Sequence, residues 1–239
     1  MIKFNNKNLI DAIFNDRWTC NVCYKEIFSG YFCDECNKNI EKISENKCLH
    51  CGRYTPYSVN YCDSCIEKNI NFDMARSVYK YKIPISLLIQ NFKYKNKKFH
   101  YRFFAGELYK LYKAENLNCD AVCFVPMTEE RFSQTGYNHS ELLAKEFCRL
   151  SNLELLDCIE KVKETERQAT LTLDERRKNL KSAFKTYKKF VDKKNLLLID
   201  DVLTTGATSD AIAKLLKSKG AKSVTVLTVA SVSKYDKNQ

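Results

Sequence analysis

No run in this 239-residue chain approaches the length of a membrane span. The longest purely aliphatic stretch is Leu196–Ile199, whereas a spanning helix needs ~20 apolar residues. The opening residues MIKFNNKNLIDAIFNDRW lack a continuous apolar segment followed by a small-residue cleavage site. No secretory signal is therefore read, and the cytoplasm is the expected location. Acidic residues are in short supply, 29 against 40 lysines and arginines, which leaves a net charge of +11. That imbalance admits polyanionic partners, nucleic acid or phosphorylated metabolites, beside the plainer reading of a solvated surface. With 44% hydrophobic and 29% charged residues, the composition excludes a disordered chain. The length suits one ordinary domain and a small module.

Of the twelve cysteines, eight form four C-x-x-C pairs, and Cys119, Cys123, Cys148 and Cys158 are scattered. Reduced cytosolic thiols at this spacing read as zinc ligands. Cys20, Cys23, Cys33 and Cys36 make one set, and Cys48, Cys51, Cys62 and Cys65 a second. Two intervening residues let both sulfurs of a pair meet one metal from a tight knuckle, and zinc takes four such ligands tetrahedrally. Closed Cys₄ sites are structural, and in so small a module the metal supplies folding energy. Sequential pairing is adopted; spacing also permits an interleaved cross-brace. Four pairs do not match a single thioredoxin-like redox site. His50 flanks Cys51, but eight cysteines already complete two sites.

Residues 1–70 are thus expected to be a double zinc-ribbon module and residues 71–239 an α/β domain. Strands are expected at Met74–Tyr81, Ala121–Val125, Leu196–Ile199 and Ser223–Val229. Helical spacing is read at Ile85–Phe92, Phe103–Tyr112, Ser140–Leu150 and Ser209–Ser218, the last closed by Gly220. Such alternation means βαβ units and a mostly parallel sheet flanked by helices. The charged stretch 159–181 lacks an apolar period and reads as a mobile surface loop.

The segment LLLIDDVLTTGATSDAIAKLL carries the most chemistry. A buried strand delivers Asp200 and Asp201 at its carboxyl end, where open α/β sheets bind ligands. Thr204, Thr205, Gly206, Ala207 and Thr208 then turn into a helix. Backbone N–H groups of such a turn converge on an anion, aided by the helix N-terminus. Paired carboxylates beside an anion cradle have a use if they accept hydrogen bonds from a ribose diol, with magnesium nearby. An ordinary strand–turn–helix accounts for one Asp and one Gly but not for the whole run.

This segment resembles the fingerprint of type I phosphoribosyltransferases. Together with the cysteine pairs, Lys93–Tyr94, Gly136–Asn138, the Gln168, Arg176 and Asn179 pattern and the Asp200–Thr208 signature, it is similar to the ComF family of competence-associated proteins. The resemblance implies binding of 5-phosphoribosyl-1-pyrophosphate (PRPP) with magnesium. It puts Asp200 and Asp201 on the ribose hydroxyls, the Thr204–Thr208 turn on the 5-phosphate, and Pro126, Met127 and Arg131 beside the pyrophosphate. Arg176, in a flap that also carries Arg167 and Arg177, would join the two aspartates as a catalytic residue by stabilising the departing charge. Departures from the family pattern are Met127–Thr128 after Pro126, Thr135 before Gly136, and His139 after Asn138. One cation is thereby missing from the pyrophosphate side. His139 reads as a helix-start residue in preference to a catalytic base.

Between Lys80 and Lys113, nine basic residues face one acidic, Glu107. Lys93, Tyr94, Lys95, Lys97, Lys98 and Arg102 are candidates for nucleic-acid contact, bases stacking on rings while lysines follow the backbone. Aromatics at this spacing equally suit a core face with solvated lysines opposite. The resemblance adds single-stranded DNA and a DNA translocase or helicase of the competence machinery as expected partners. Three functions follow: a PRPP-binding competence accessory, a conventional phosphoribosyltransferase of nucleotide metabolism performing pentosyl transfer, and a PRPP sensor without chemistry. No segment is assignable to the base-recognising hood that the second would need.

Overall fold

The computed structural model describes residues 19–67, 70–95, 97–162 and 183–237. Within them, β1 (Met74–Lys80), β2 (Ala121–Phe124), β3 (Glu154–Leu155), β6 (Asn195–Leu203) and β7 (Ser223–Ser231) form one parallel sheet in the order β1-β7-β6-β2-β3. Alternation along the strands sorts the side chains to two faces. Val122, Phe124, Leu197, Ile199, Leu227 and Val229 point to one, and Ala121, Cys123, Leu196, Leu198, Val224 and Val226 to the other. A parallel sheet needs both faces covered.

The first face is covered by helices. They are α3 (Ile85–Tyr94), α4 (His100–Ala114) and α6 (His139–Ser151), whose Leu88, Phe92, Phe104, Leu108, Leu143 and Phe147 are wholly buried there. The second face receives α8 (Ala207–Ser218) through Ile212, Ala213 and Leu216. Beside it, among the described residues, lies the second cysteine knuckle: Cys48, Cys51, Cys62 and Cys65 belong to the same apolar cluster as Phe72, Ala75 and Leu203. The first knuckle sits further out. Its Tyr31 stacks on Phe103 of α4, ring centroids 4.1 Å apart and 9° from parallel. Two short helices, α1 (Asp34–Lys38) and α2 (Asp63–Ile66), each begin beside a cysteine. The intervening strand edge is covered as well, since Ile43 N–H donates to Val78 O at 2.9 Å and Lys80 N–H to Glu41 O at 2.9 Å.

Each expected element is present, most of them longer than read. The largest difference is functional. β6 does not stop at Ile199 but continues through both aspartates to Leu203, because Asp200, Val202 and Leu203 still pair with Thr228, Ala230 and Ser231 of β7. β2 pairs only as far as Phe124–Ile199, so β6 outruns it and leaves a step in the sheet. A further helix, α5 (Glu129–Thr135), for which the sequence suggested no element, follows β2; Thr128 caps it and Gly136 closes it at φ 72°. The charged stretch begins as β4 (Glu160–Lys161), paired antiparallel with β5 (Phe184–Lys185). Residues 163–182, with Arg167, Gln168, Arg176, Arg177 and Asn179, lie outside the described residues. A short α7 (Lys188–Val191) leads into β6. Among the described residues no helix is long and apolar enough to cross a membrane.

Candidate functional site

The step where β6 outruns β2 opens a cleft of about 610 Å³. Asp200, Asp201, Thr204 and Thr208 form one side and Pro126, Met127 and Arg131 another, so these seven expected residues meet in one place. Thr205 and Ala207 are exposed on the turn itself, and Gly206 starts α8 in the left-handed region at φ 81°. Thr205 Oγ1 accepts from Ala207 N–H at 3.3 Å. The turn is open to solvent and not sealed beneath side chains, as anion capture requires.

The two carboxylates are held differently. Asp200 Oδ1 accepts from Ser140 Oγ at 2.8 Å and from Asp201 N–H at 2.9 Å. Burial, then the charge of Asp201, pushes the Asp200 carboxyl up to about 7, while Lys93 and the hydrogen bonds pull the other way. Asp201 is 7% exposed and forms an ion pair with Lys93, Nζ to Oδ2 2.8 Å. Asn138 fixes this wall by donating through Nδ2 to Val125 O at 3.1 Å while its Oδ1 accepts from Ser140 N–H at 3.0 Å. His139 is buried between the rings of Phe92 and Tyr137 and donates from Nε2 to Lys93 O at 3.1 Å. Burial holds its imidazole below the ordinary histidine range, against the opposing pull of Asp201. It positions Lys93, in keeping with its reading as a helix-start residue.

Lys93 and Tyr94 were expected on a nucleic-acid surface; both line this cleft. The rest of the basic strip is more dispersed. Lys97 lies on Tyr24, Lys98 over the Tyr137 ring, and Arg102 against Tyr101, while Lys95 is exposed. Phe92 and Phe104 are core, and of the strip's rings Tyr94, at 69%, and Phe99, at 38%, are the ones that face water. Gln134, Ser140 and Asn138, the last named above within the Gly136–Asn138 segment, also contribute to the cleft. Lys161 and Phe184, from the paired strands that bracket residues 163–182, border it too.

Both cysteine sets converge as sequential quartets, with all sulfurs of each set within 4.8 Å of one another. The interleaved arrangement is thereby overturned. Cys23–Cys33 at 3.6 Å, Cys51–Cys62 at 3.7 Å and Cys48–Cys65 at 3.9 Å match the separation of roughly 3.8 Å that Zn–S bonds of ~2.3 Å impose at tetrahedral geometry. The donor set fits two structural zinc ions.

Residues 9–66 match the family model of the double zinc ribbon domain. Over 202 residues, 81% of this chain and 87% of the relative, the sequence is 32% identical to competence protein F of Haemophilus influenzae. The chain belongs to the ComF family. Other ComF-type relatives are DNA utilization protein YhgH of Escherichia coli (strain K12), 27% identical over 87% of this chain and 94% of that one, and competence protein ComFC of Bacillus subtilis (strain 168), 27% identical over 92% and 94%. The solved allosteric regulatory enzyme of purine biosynthesis is similar at TM-score 0.39 and 19% identity, over 54% of this chain and 25% of that one, so the family assignment rests on the relatives.

Proposed function

We propose that this ComF-family chain binds PRPP with magnesium in the β6 cleft and supports handling of single-stranded DNA in natural transformation. The observation that carries the reading is the adjacency of Asp200 and Asp201 to the open Thr204–Thr208 turn, with Lys93 and Arg131 in the same cleft. A carboxyl raised to about 7 by burial and by its neighbour gains from a ligand that brings hydroxyl donors and positive charge. A ribose diol accompanied by a divalent cation is such a ligand, and an exposed turn of threonines and a glycine suits its 5-phosphate.

Asp200 and Asp201 would take the ribose hydroxyls with magnesium beside them, whose chemistry is to neutralise pyrophosphate charge. Arg131, and Arg176 from the span outside the described residues, are proposed for the pyrophosphate itself. The zinc sites are structural. The basic strip and its exposed Tyr94 and Phe99 are the proposed DNA surface, with a translocase or helicase as the partner to which that strand passes.

Calorimetric titration with PRPP and magnesium tests the first part. Asp200→Asn with Asp201→Asn should weaken binding by about a hundredfold, from two charge-assisted contacts of ~1.5 kcal/mol each; an unchanged affinity removes the reading. Oligonucleotide binding should weaken steeply with added salt. A second reading, a PRPP sensor without turnover, is favoured by one observation, the neutral Thr135 in the cleft wall. Pyrophosphate release in the presence of candidate acceptors separates it from a transferase.

A further inference from the structure

The turn that would take the 5-phosphate is not held by its own strand and helix alone. Arg53, two residues beyond Cys51, donates from Nη2 to the carbonyl of Thr204 at 2.8 Å, across 151 positions of sequence. The arginine is 6% exposed. Its own backbone is part of the second cysteine knuckle, since Cys48 N–H donates to Arg53 O at 2.9 Å. Gly206 is fitted to it: a Cβ there would stand 3.2 Å from Arg53 Nη2. Arg53 Nη1 is buried and has no hydrogen-bond partner among the described residues. Arg53 does not line the cleft, so the guanidinium lies behind the turn.

We infer that Arg53 is a positioning residue for the anion turn, through which the second cysteine knuckle sets the affinity of the cleft for a sugar phosphate. The physical argument has two parts. In a planar trans peptide the C=O and the following N–H point in opposite directions. Fixing the Thr204 carbonyl toward Arg53 therefore aims the Thr205 N–H away from Arg53, on the side from which an anion approaches. In addition, a guanidinium is always charged, and one buried behind a nest of N–H groups reinforces their potential with little solvent screening. The knuckle thus acts on the site through one side chain, without touching the ligand.

This inference rests on the reading of the cleft as a sugar-phosphate site, and its test separates the two. The full-length zinc-loaded protein and its Arg53→Gln variant are titrated with ribose 5-phosphate, with PRPP and magnesium, and with pyrophosphate and magnesium. Loss of Arg53 should weaken ribose 5-phosphate and PRPP by the same factor, about tenfold, which is the worth of one charged hydrogen bond. Pyrophosphate, which does not use the turn, should bind as before, with zinc content unchanged. A variant that binds ribose 5-phosphate like the parent, or that loses pyrophosphate equally, overturns the inference. Should Arg53→Gln fail to fold, Arg53→Lys, which keeps the charge and loses the planar fork, carries the same comparison. A parent protein that binds none of the three ligands overturns the reading of the cleft instead. Amide exchange then still decides Arg53: faster exchange confined to residues 205–208 in the variant supports it, and no change refutes it.

Discussion

The ammonium of Lys93 lies 2.8 Å from the Asp201 carboxylate, brought there by the last turn of α3. Burial works against the lysine's charge, but Asp201 and then Asp200 outweigh it, so its pKa is raised. The cleft therefore carries its own counter-cation for a pair of adjacent acids. Lys93→Met should leave that pair uncompensated and drive the Asp200 carboxyl further above 7. Where PRPP binding requires Asp200 ionised, its pH midpoint should move up by roughly one unit. Calorimetry across about pH 6 to 9 checks this; an unmoved midpoint means that Lys93 and Asp200 titrate independently.

Asp200 also predicts a conflict between stability and binding. Its folded pKa of about 7 lies above the ordinary 3.8. A raised acid contributes stability that is fully present below the unfolded value and is lost as pH rises through the folded one. The ligand-free protein therefore bears the cost of ionising Asp200 above neutrality. Asp200→Asn, which keeps an acceptor for Ser140 and the Asp201 amide, should raise stability by about 1–2 kcal/mol in alkaline buffer, after discounting for solvent access. The gain should shrink toward pH 4. Thermal melts at the two pH values decide the sign, and a variant less stable in alkaline buffer contradicts it.

How far the sequence discloses this site depends on the range of each interaction. Asp200, Asp201 and the Thr204–Thr208 turn were readable because strand, acids, turn and helix are contiguous and each leaves a local signature. Both zinc quartets were readable for the same reason. Lys93 was visible as part of the Lys93–Tyr94 pair of the resemblance and as one cation in a basic strip, but not as the partner of Asp201, since helical periodicity does not say which lysine turns toward the strand end. Helix α5 did leave signals, the Thr128 cap, Glu129 and Glu130 in the first turn and Gly136 at the end, but at seven residues it is too short to show an apolar period. Arg53 left none: its acceptor is a backbone carbonyl, which has no residue identity to recognise.

Thr135 offers a gain-of-function test. It stands in the cleft wall, its hydroxyl donating to Arg131 O at 2.9 Å within α5. The family resemblance expects a cation at this position. Thr135→Arg should strengthen pyrophosphate binding by roughly fivefold, about 1 kcal/mol for a partly screened charge, and the gain should fade with added salt. Titration at low and high ionic strength measures both. Should the gain persist in high salt, it comes from packing and not from charge.

The two cysteine quartets should not respond alike to damage, because only one is built into the sheet. Gly52, between Cys51 and Arg53, sits at φ 68° against β1, where a Cβ would be 2.4 Å from Ala75 O and 2.9 Å from Arg76 Cα. Those are backbone atoms that cannot swing aside, so Gly52→Ala must lift the knuckle off the strand. The cost should be about 3 kcal/mol, combining positive-φ strain with the separation of packed surfaces. Gly30, in the first quartet, has φ 86° but nothing within 4 Å of a Cβ. Gly30→Ala should therefore cost only the backbone strain, about 1 kcal/mol. Denaturant melts of the two variants give the ratio. If they prove equally destabilised, the second quartet is not mechanically joined to the sheet, and its grip on the Thr204–Thr208 turn through Arg53 fails with it.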